Sequence, residues 1–324
     1  MSVRVKALLA YAALILAVLA VGFVVKTWWG EGPMSRDRNF VVEQGATLTG
    51  TARKLEEKGL IRSAGAFTKF AAVLGSSDPV RAGEFTIPAG ASGSQILDIL
   101  QHAQPIRRLV TIPEGMPSIL VHERLRGEAR LVGPVPIPAE GSVLPDSYSY
   151  ESGETRAAVL KRMQDAMTKE LDRLWAGRKP GSVVKSKAEA ITLASIVEKE
   201  TGKPSERRMV AGVYSNRLRI GMKLDADPTV IYPITKGKPL GRRILRSELQ
   251  AKNGYNTYAS PGLPVGPIAN PGRESIAAVL DPAPTKALYF VADGTGGHIF
   301  ADTLEQHNAN VRKWYEIRRA RGEM

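Results

Sequence analysis

Residues 7–25 form a run of 19 without a charged side chain, bounded by Lys6 and Lys26. No other feature of the 324-residue chain restricts its architecture so strongly. At about 1.5 Å rise per residue such a helix is about 28 Å long, close to the roughly 30 Å hydrocarbon core of a bilayer. Trp28 and Trp29 follow at once, where an interfacial aromatic belt is expected. Arg4 and Lys6 precede the run and Lys26 follows it. This modest bias puts residues 1–6 in the cytoplasm and the body outside a bacterial inner (plasma) membrane. The alternative is a cleaved signal peptide, with Val18-Leu19-Ala20 as the cleavage site. The apolar run continues past Ala20, which favours the anchor. Both alternatives export the body.

The body reads as globular, because 43% hydrophobic and 24% charged residues match an ordinary folded chain. Its length suits about two domains. Without cysteine there are no disulfides, thiol catalysis or cysteine-ligated zinc. The net charge of +13 suits a polyanionic partner: nucleic acid, anionic lipid or an acidic wall polymer. No nucleic-acid-binding module is recognisable, so the expectation is no nucleic acid. The basic run at residues 241–246 is expected to be a solvated face or a contact to substrate carboxylates.

Residues 26–38 read as a linker, with Gly32-Pro33 inside it. A strand at 39–42, helices at 48–58, 64–74 and 94–100, and a strand at 83–87 make a small α+β unit over 39–104. Gly59 and Gly75 terminate the first two helices. The rest, 105–324, is expected to be a larger α+β domain. A strand is expected at 107–112 and loop at 132–138. The apolar spacing predicts a helix at 156–175. Further helices are expected from Ser186, at 210–219 and at 304–319. Residues 228–270 are rich in glycine and proline and are expected to be loops and short strands. Residues 287–292 read as a buried strand, with a return at 299–300.

The helix from Ser186 fits a capping box, Ser186 at the N-cap and Glu189 at the third position. Its buried stripe is Ala190, Leu193, Ala194 and Val197. Glu198 and Glu200 lie about 200° apart around the axis and cannot face one pocket. Glu200 has the larger apolar neighbours, Ile196 and Leu193, so desolvation would raise its pKa and keep it protonated near neutrality. Both carboxylates can also be read as surface groups pairing with Lys199, Lys203 or Arg207.

The run Leu193-Ala194-Ser195-Ile196-Val197-Glu198-Lys199-Glu200 resembles the signature of the YceG-like (MltG) endolytic murein transglycosylases. The similarity continues through Asn216-Arg217-Leu218, Gly221-Met222-Lys223-Leu224 and Asp227-Pro228-Thr229-Val230-Ile231-Tyr232. Beyond these come Tyr255-Asn256-Thr257-Tyr258, Gly262-Leu263-Pro264 and Gly266-Pro267-Ile268-Ala269-Asn270-Pro271-Gly272. It closes with Tyr289-Phe290-Val291-Ala292-Asp293-Gly294 and Gly297-His298. Upstream, Ile112-Pro113-Glu114-Gly115, Glu140-Gly141 and Leu144-Pro145-Asp146-Ser147-Tyr148 also match. Order and spacing hold from about residue 39 to 315. Two positions depart: Asp225 where the family usually has glutamine, and Val265 where it has a second proline.

The resemblance implies a membrane anchor, a LysM-like subdomain over 39–104 and a YceG-like catalytic domain over 105–324. It implies a lyase that cleaves peptidoglycan glycan strands between N-acetylmuramic acid and N-acetylglucosamine, leaving 1,6-anhydro-muramyl ends. Glu200, the second glutamate of Glu-Lys-Glu, is then the catalytic residue. Asp227, Thr229, Tyr232, Asn256 and Tyr258 are candidates for transition-state support or sugar binding. Each also has a structural explanation, as turn opener, core aromatic or loop brace. No cofactor is implied, and His102, His122, His298 and His307 show no metal-ligand spacing. Expected partners are glycan strands, the lipid bilayer and peptidoglycan synthases. Two rivals are a binding protein without catalysis and a muramidase-type hydrolase with Asp225 as its second carboxylate.

Overall fold

A computed structural model describes residues 3–323. The expected cytoplasmic segment 1–6 therefore lies partly outside the described residues. The fold is α+β and divides into two compact units. One comprises the chain up to Arg108 with Ser149–Glu154; the other holds the remainder.

The first unit opens with α1 (Val3–Trp28), in which Leu8–Trp28 is long and apolar enough to cross a membrane, with mean hydropathy 2.8. Then follow β1 (Arg38–Val42), α2 (Leu48–Glu57), α3 (Ala64–Leu74), β2 (Gly83–Ile87) and α4 (Gly93–His102). β1 and β2 pair antiparallel with Phe40 opposite Phe85. Both rings join Leu55, Phe67, Ile87, Ile96 and Leu100 in one core. Thr47, Ser63 and Ser92 cap the three helices through their side-chain oxygens. At the end of α2, Gly59 takes φ +68°, and the amide of Leu60 reaches the carbonyl of Leu55 at 2.8 Å. This is the Schellman arrangement that only a residue free to enter the left-handed region supports cheaply.

Trp28 is not an interfacial residue. It is 2% exposed and lies 5.8 Å from the Phe67 ring and 6.2 Å from Phe70. Trp29, half exposed, remains available to a bilayer surface. The segment expected to be a linker is tied down as well. The Gly32 amide donates to Gly90 O, the Gly90 amide to Met34 O, and Arg62 to Glu31 O. α1 therefore runs into the unit's core without a flexible joint. Trp28→Ala is expected to destabilise this unit by about 3–5 kcal/mol, the range for emptying a large buried ring site. Amide exchange of α3 and α4 in the full chain should accelerate accordingly; unchanged exchange would return Trp28 to the bilayer.

β3 (Arg107–Thr111) and β4 (Ser147–Glu151) are each divided between the two units, and the second unit further holds α5 (Ser118–Gly127), α6 (Arg156–Ala176) and α7 (Lys187–Glu200). A 3₁₀ turn (Pro204–Glu206) leads to α8 (Arg207–Arg219), α9 (Asp227–Thr235), α10 (Arg246–Gln250) and α11 (Arg273–Leu280). The hairpin of β5 (Tyr289–Ala292) and β6 (His298–Ala301) follows, then α12 (Leu304–Ala320). β3 pairs with β4, so the sheets among the described residues are all two-stranded.

α7 is the axis of this unit. Every residue from Ala190 to Val197 is buried, because α8, α9 and α11 surround it. Its N-cap is as expected: Ser186 Oγ accepts the Glu189 amide at 3.1 Å. The reciprocal half differs, since Glu189 accepts from the Lys185 amide at 2.6 Å and not from Ser186. Residues 228–270, expected to be loops and strands, hold α9 and α10 and no strand. The glycines and prolines fall at the start of α9, between α9 and α10, and in the long segment after α10, apart from Pro233 inside α9. The strand expected to be buried at 287–292 is shorter, and all four β5 residues are partly exposed.

Candidate active site

The two carboxylates near the end of α7 have opposite fates. Glu198 is almost fully enclosed, its side chain 5% exposed. Its Oε2 accepts the Gly272 amide at 2.8 Å, and its Oε1 lies 3.5 Å from Arg207 Nη2. Arg207 also reaches Glu114 at 2.9 Å. Burial first, and Glu198 second, push the Glu114 carboxyl up, against the pull of Arg207. The surface-pairing alternative thus identified a true partner for Glu198, in a buried setting. With both oxygens engaged, Glu198 is a brace between α7, α8 and the start of α11.

Glu200 is the last residue of α7 and is only partly exposed. Its Oε1 is buried and has no hydrogen-bond partner, a costly condition for an ionised carboxylate. Burial, and next the negative charge of Asp227, push its pKa to about 7. A hydrogen bond from the Tyr214 hydroxyl and the charge of Arg217 pull the other way. The C-terminal end of the helix dipole also disfavours charge there. The desolvation expected at Glu200 is present. Glu200 can therefore give a proton near neutral pH and take one back.

Asp227 and Tyr258 are brought beside it. Tyr258 Oη donates to Asp227 Oδ1 at 2.6 Å, and burial with that bond pushes the phenol pKa upward. Asp227 stands at the first position of α9, where the helix dipole favours a carboxylate. The other candidates have their polar atoms occupied. Thr229 is fully buried and bonds Thr257 Oγ1 at 2.8 Å and Ala226 O at 2.7 Å. Asn256 Nδ2 donates to the carbonyls of Glu248, Leu249 and Ala251, which closes the loop after α10. Tyr232 is buried, 4.8 Å from the Tyr255 ring, and hydrogen-bonds Glu140. Asp225 adopts φ +51° and lies 3.7 Å from Arg217, so its charge is partly matched.

Two participants were not among the site candidates read from the sequence. Tyr214 is buried on α8, its pKa driven well up by burial and then by Glu200. Arg217, one turn further on α8, donates to the carbonyls of Leu288, Lys223 and Leu224 and stacks on Tyr289. It fixes the loop carrying Asp225 and adds positive charge near Glu200. The motif Asn216-Arg217-Leu218 lay within the resemblance, but its local pattern gives no clue to the direction of the arginine. The Arg242 side of the basic run pairs with Glu248. Among the described residues no cluster of histidine or carboxylate side chains is arranged to hold a metal.

A profile of the YceG-like family matches residues 40–313. A protein of Bacillus subtilis (strain 168) called endolytic murein transglycosylase is 35% identical over 178 residues, 55% of this chain. One of Streptococcus pneumoniae serotype 2 with the same description is 27% identical over 323 residues, 83% of this chain. The chain spans 48% of the first relative's length and 57% of the second's. A crystal structure of a yceG-like protein from Listeria monocytogenes superposes with a TM-score of 0.52 at 23% identity. That likeness, over 85% of this chain and 98% of the other, concerns the fold.

Proposed function

This chain belongs to the YceG-like family, and on that basis we propose that it is a lytic transglycosylase cutting within peptidoglycan glycan strands, with Glu200 as its proton-transfer group. The observation that carries this most is the largely buried Glu200 carboxyl with one enclosed, unpartnered oxygen, flanked by Tyr214 and Asp227. The names of the Bacillus and Streptococcus relatives supply the substrate class.

Glu200 in its acid form gives its proton to the glycosidic oxygen as the bond to muramyl C1 breaks. The resulting carboxylate takes the proton of the muramyl C6 hydroxyl, whose oxygen bonds to C1. Leaving strand and 1,6-anhydro end together contain the atoms of the substrate, and no water enters. The attack is intramolecular, so the positioning that hydrolases need for a second carboxylate and a water is supplied by the sugar itself. Negative charge at Asp227, oriented by Tyr258, stabilises the oxocarbenium-like state. Thr229, Asn256 and Tyr232 serve by holding the walls around it.

The apolar α1 is then a single-pass anchor in the plasma membrane, with the N-terminus inside and the chain after α1 outside. In the first unit, two helices between paired strands support a LysM-like module that holds glycan. Proximity to peptidoglycan synthases follows if the strands it cuts are nascent.

Incubation of the full chain with purified sacculi should yield fragments with anhydro ends, a water lighter than hydrolysis products. Fragments carrying the added water would indicate a hydrolase, and binding without fragments a non-catalytic protein. Because the acid form of Glu200 starts the reaction, turnover should fall as pH rises through about 7. A rate that stays flat from pH 6 to 9 would remove Glu200 from that role.

A further inference from the structure

Glu200 ends its helix on a weak hydrogen bond. The next amide, Thr201, reaches the Val197 carbonyl only at 3.4 Å. What fixes the backbone beyond it is a turn closed on itself. Lys203 N donates to Thr201 Oγ1 at 3.0 Å, and Glu206 N to Lys203 O at 3.0 Å. Glu206 Oε2 lies 3.4 Å from Thr201 Oγ1. The buried Glu206 carboxylate then reaches the β5–β6 hairpin. Its Oε1 accepts the His298 amide at 3.0 Å and its Oε2 faces His298 Nδ1 at 2.7 Å. The approach is close: a Cβ on Gly297 would stand 2.5 Å from Glu206 Oε1 and 2.8 Å from Lys203 Nζ.

The same histidine also touches the other side of the site. Its ring meets Phe290 edge-on, with centroids 5.2 Å apart. Phe290 in turn packs edge-on against Tyr214 at 5.8 Å, and Tyr214 is the hydroxyl partner of Glu200. The backbone that follows Glu200 and the side chain that bonds its carboxyl thus both converge on one residue of the hairpin.

We propose that His298 is a positioning residue for the proton transfer, clamping the turn after Glu200 through Glu206 and seating Tyr214 through Phe290. It does not touch substrate. The inference rests on Glu200 being the proton-transfer group. A displacement of about 1 Å in such a group can cost on the order of 100-fold in rate.

The test measures kcat and KM of the full chain on uncrosslinked glycan strands, by release of anhydro ends. His298→Ala should lower kcat about 10- to 100-fold with KM within about twofold. His298→Asn places an amide N–H close to the position of Nδ1 and should recover kcat to within about threefold, whereas His298→Leu should not. Far-ultraviolet circular dichroism and thermal unfolding establish that each variant is folded. If His298→Ala does not fold, the comparison of the asparagine and leucine variants carries the test. An unchanged kcat in His298→Ala, equal losses in the asparagine and leucine variants, or a loss confined to KM would each overturn the proposal. Glu200→Gln in the same assay separates the two readings. If it turns over normally, the Glu200 assignment fails; if it is dead and the His298 pattern is absent, only the clamp fails.

Discussion

Glu200→Gln should abolish strand cleavage and at the same time raise the stability of the protein at alkaline pH. The loss of turnover should be about 10²- to 10⁴-fold, the range for removing a positioned acid–base group. The gain in stability follows from linkage. The Glu200 pKa rises from its ordinary 4.5 to about 7 on folding. Between these values the folded chain holds a proton that the unfolded chain has released. Stability from this group is complete below 4.5, declines as pH rises, and is gone above 7. At about 1.4 kcal/mol per unit, the full penalty is about 3 kcal/mol. Glutamine has no proton to lose, so the variant should gain up to about 3 kcal/mol at pH 8 and almost nothing at pH 4. Urea denaturation at both pH values would measure the difference. An equal effect at both would mean that burial does not tax the ionised side chain. The buried, unpartnered Oε1 is thus a site where the fold accepts lower stability for the sake of a proton held near neutrality.

The second large effect is on folding alone. Arg207→Met should destabilise the second unit by about 3–5 kcal/mol, the range for removing one partner of a buried ion pair. Glu198, with its side chain 5% exposed, would keep only the Gly272 amide, and Glu114 would face it without a cation. In a unit of this size the melting temperature should drop on the order of 10 °C. The loss should shrink at acid pH, where protonation of Glu114, its carboxyl already pushed up by burial, removes its repulsion of Glu198. Adding Glu198→Gln should restore much of it, because the double variant leaves fewer stranded charges. A single variant that melts like the parent would show that the cluster contributes only at the surface.

How much of this was legible depends on where each helix finds its first hydrogen bonds. α8, which has no side-chain cap, was anticipated only from residue 210 and so begins too late; α2, α3, α4, α6, α7 and α12 were anticipated with their starts placed to within a residue. Each has a serine or threonine at the N-cap whose oxygen accepts an amide in the first turn. α5, α9 and α11 were not anticipated, and none has a side-chain cap of its own. Their starts are satisfied from far away. Glu140 accepts the Ser118 amide, Thr257 the Ala226 amide and Glu198 the Gly272 amide. A sequence displays a cap three residues from its helix; it does not display one 74 residues away.

The same distinction runs through the site. The apolar run of α1, the capped start of α7 and the opposite facing of Glu198 and Glu200 are consequences of helical periodicity. They act over a few residues and are written in the chain. Which carboxylate keeps its proton was decided by what folded against each. Arg207 and the start of α11 engage Glu198, while Tyr214 and Asp227 flank Glu200 and leave one oxygen dry. Trp28 went into a core because Phe67 and Phe70 from α3 meet it there, and His298 gained its place because Glu206 turns toward it. Periodicity fixes which face a residue occupies, but solvation and charge depend on neighbours that only the packed chain brings within a few ångströms.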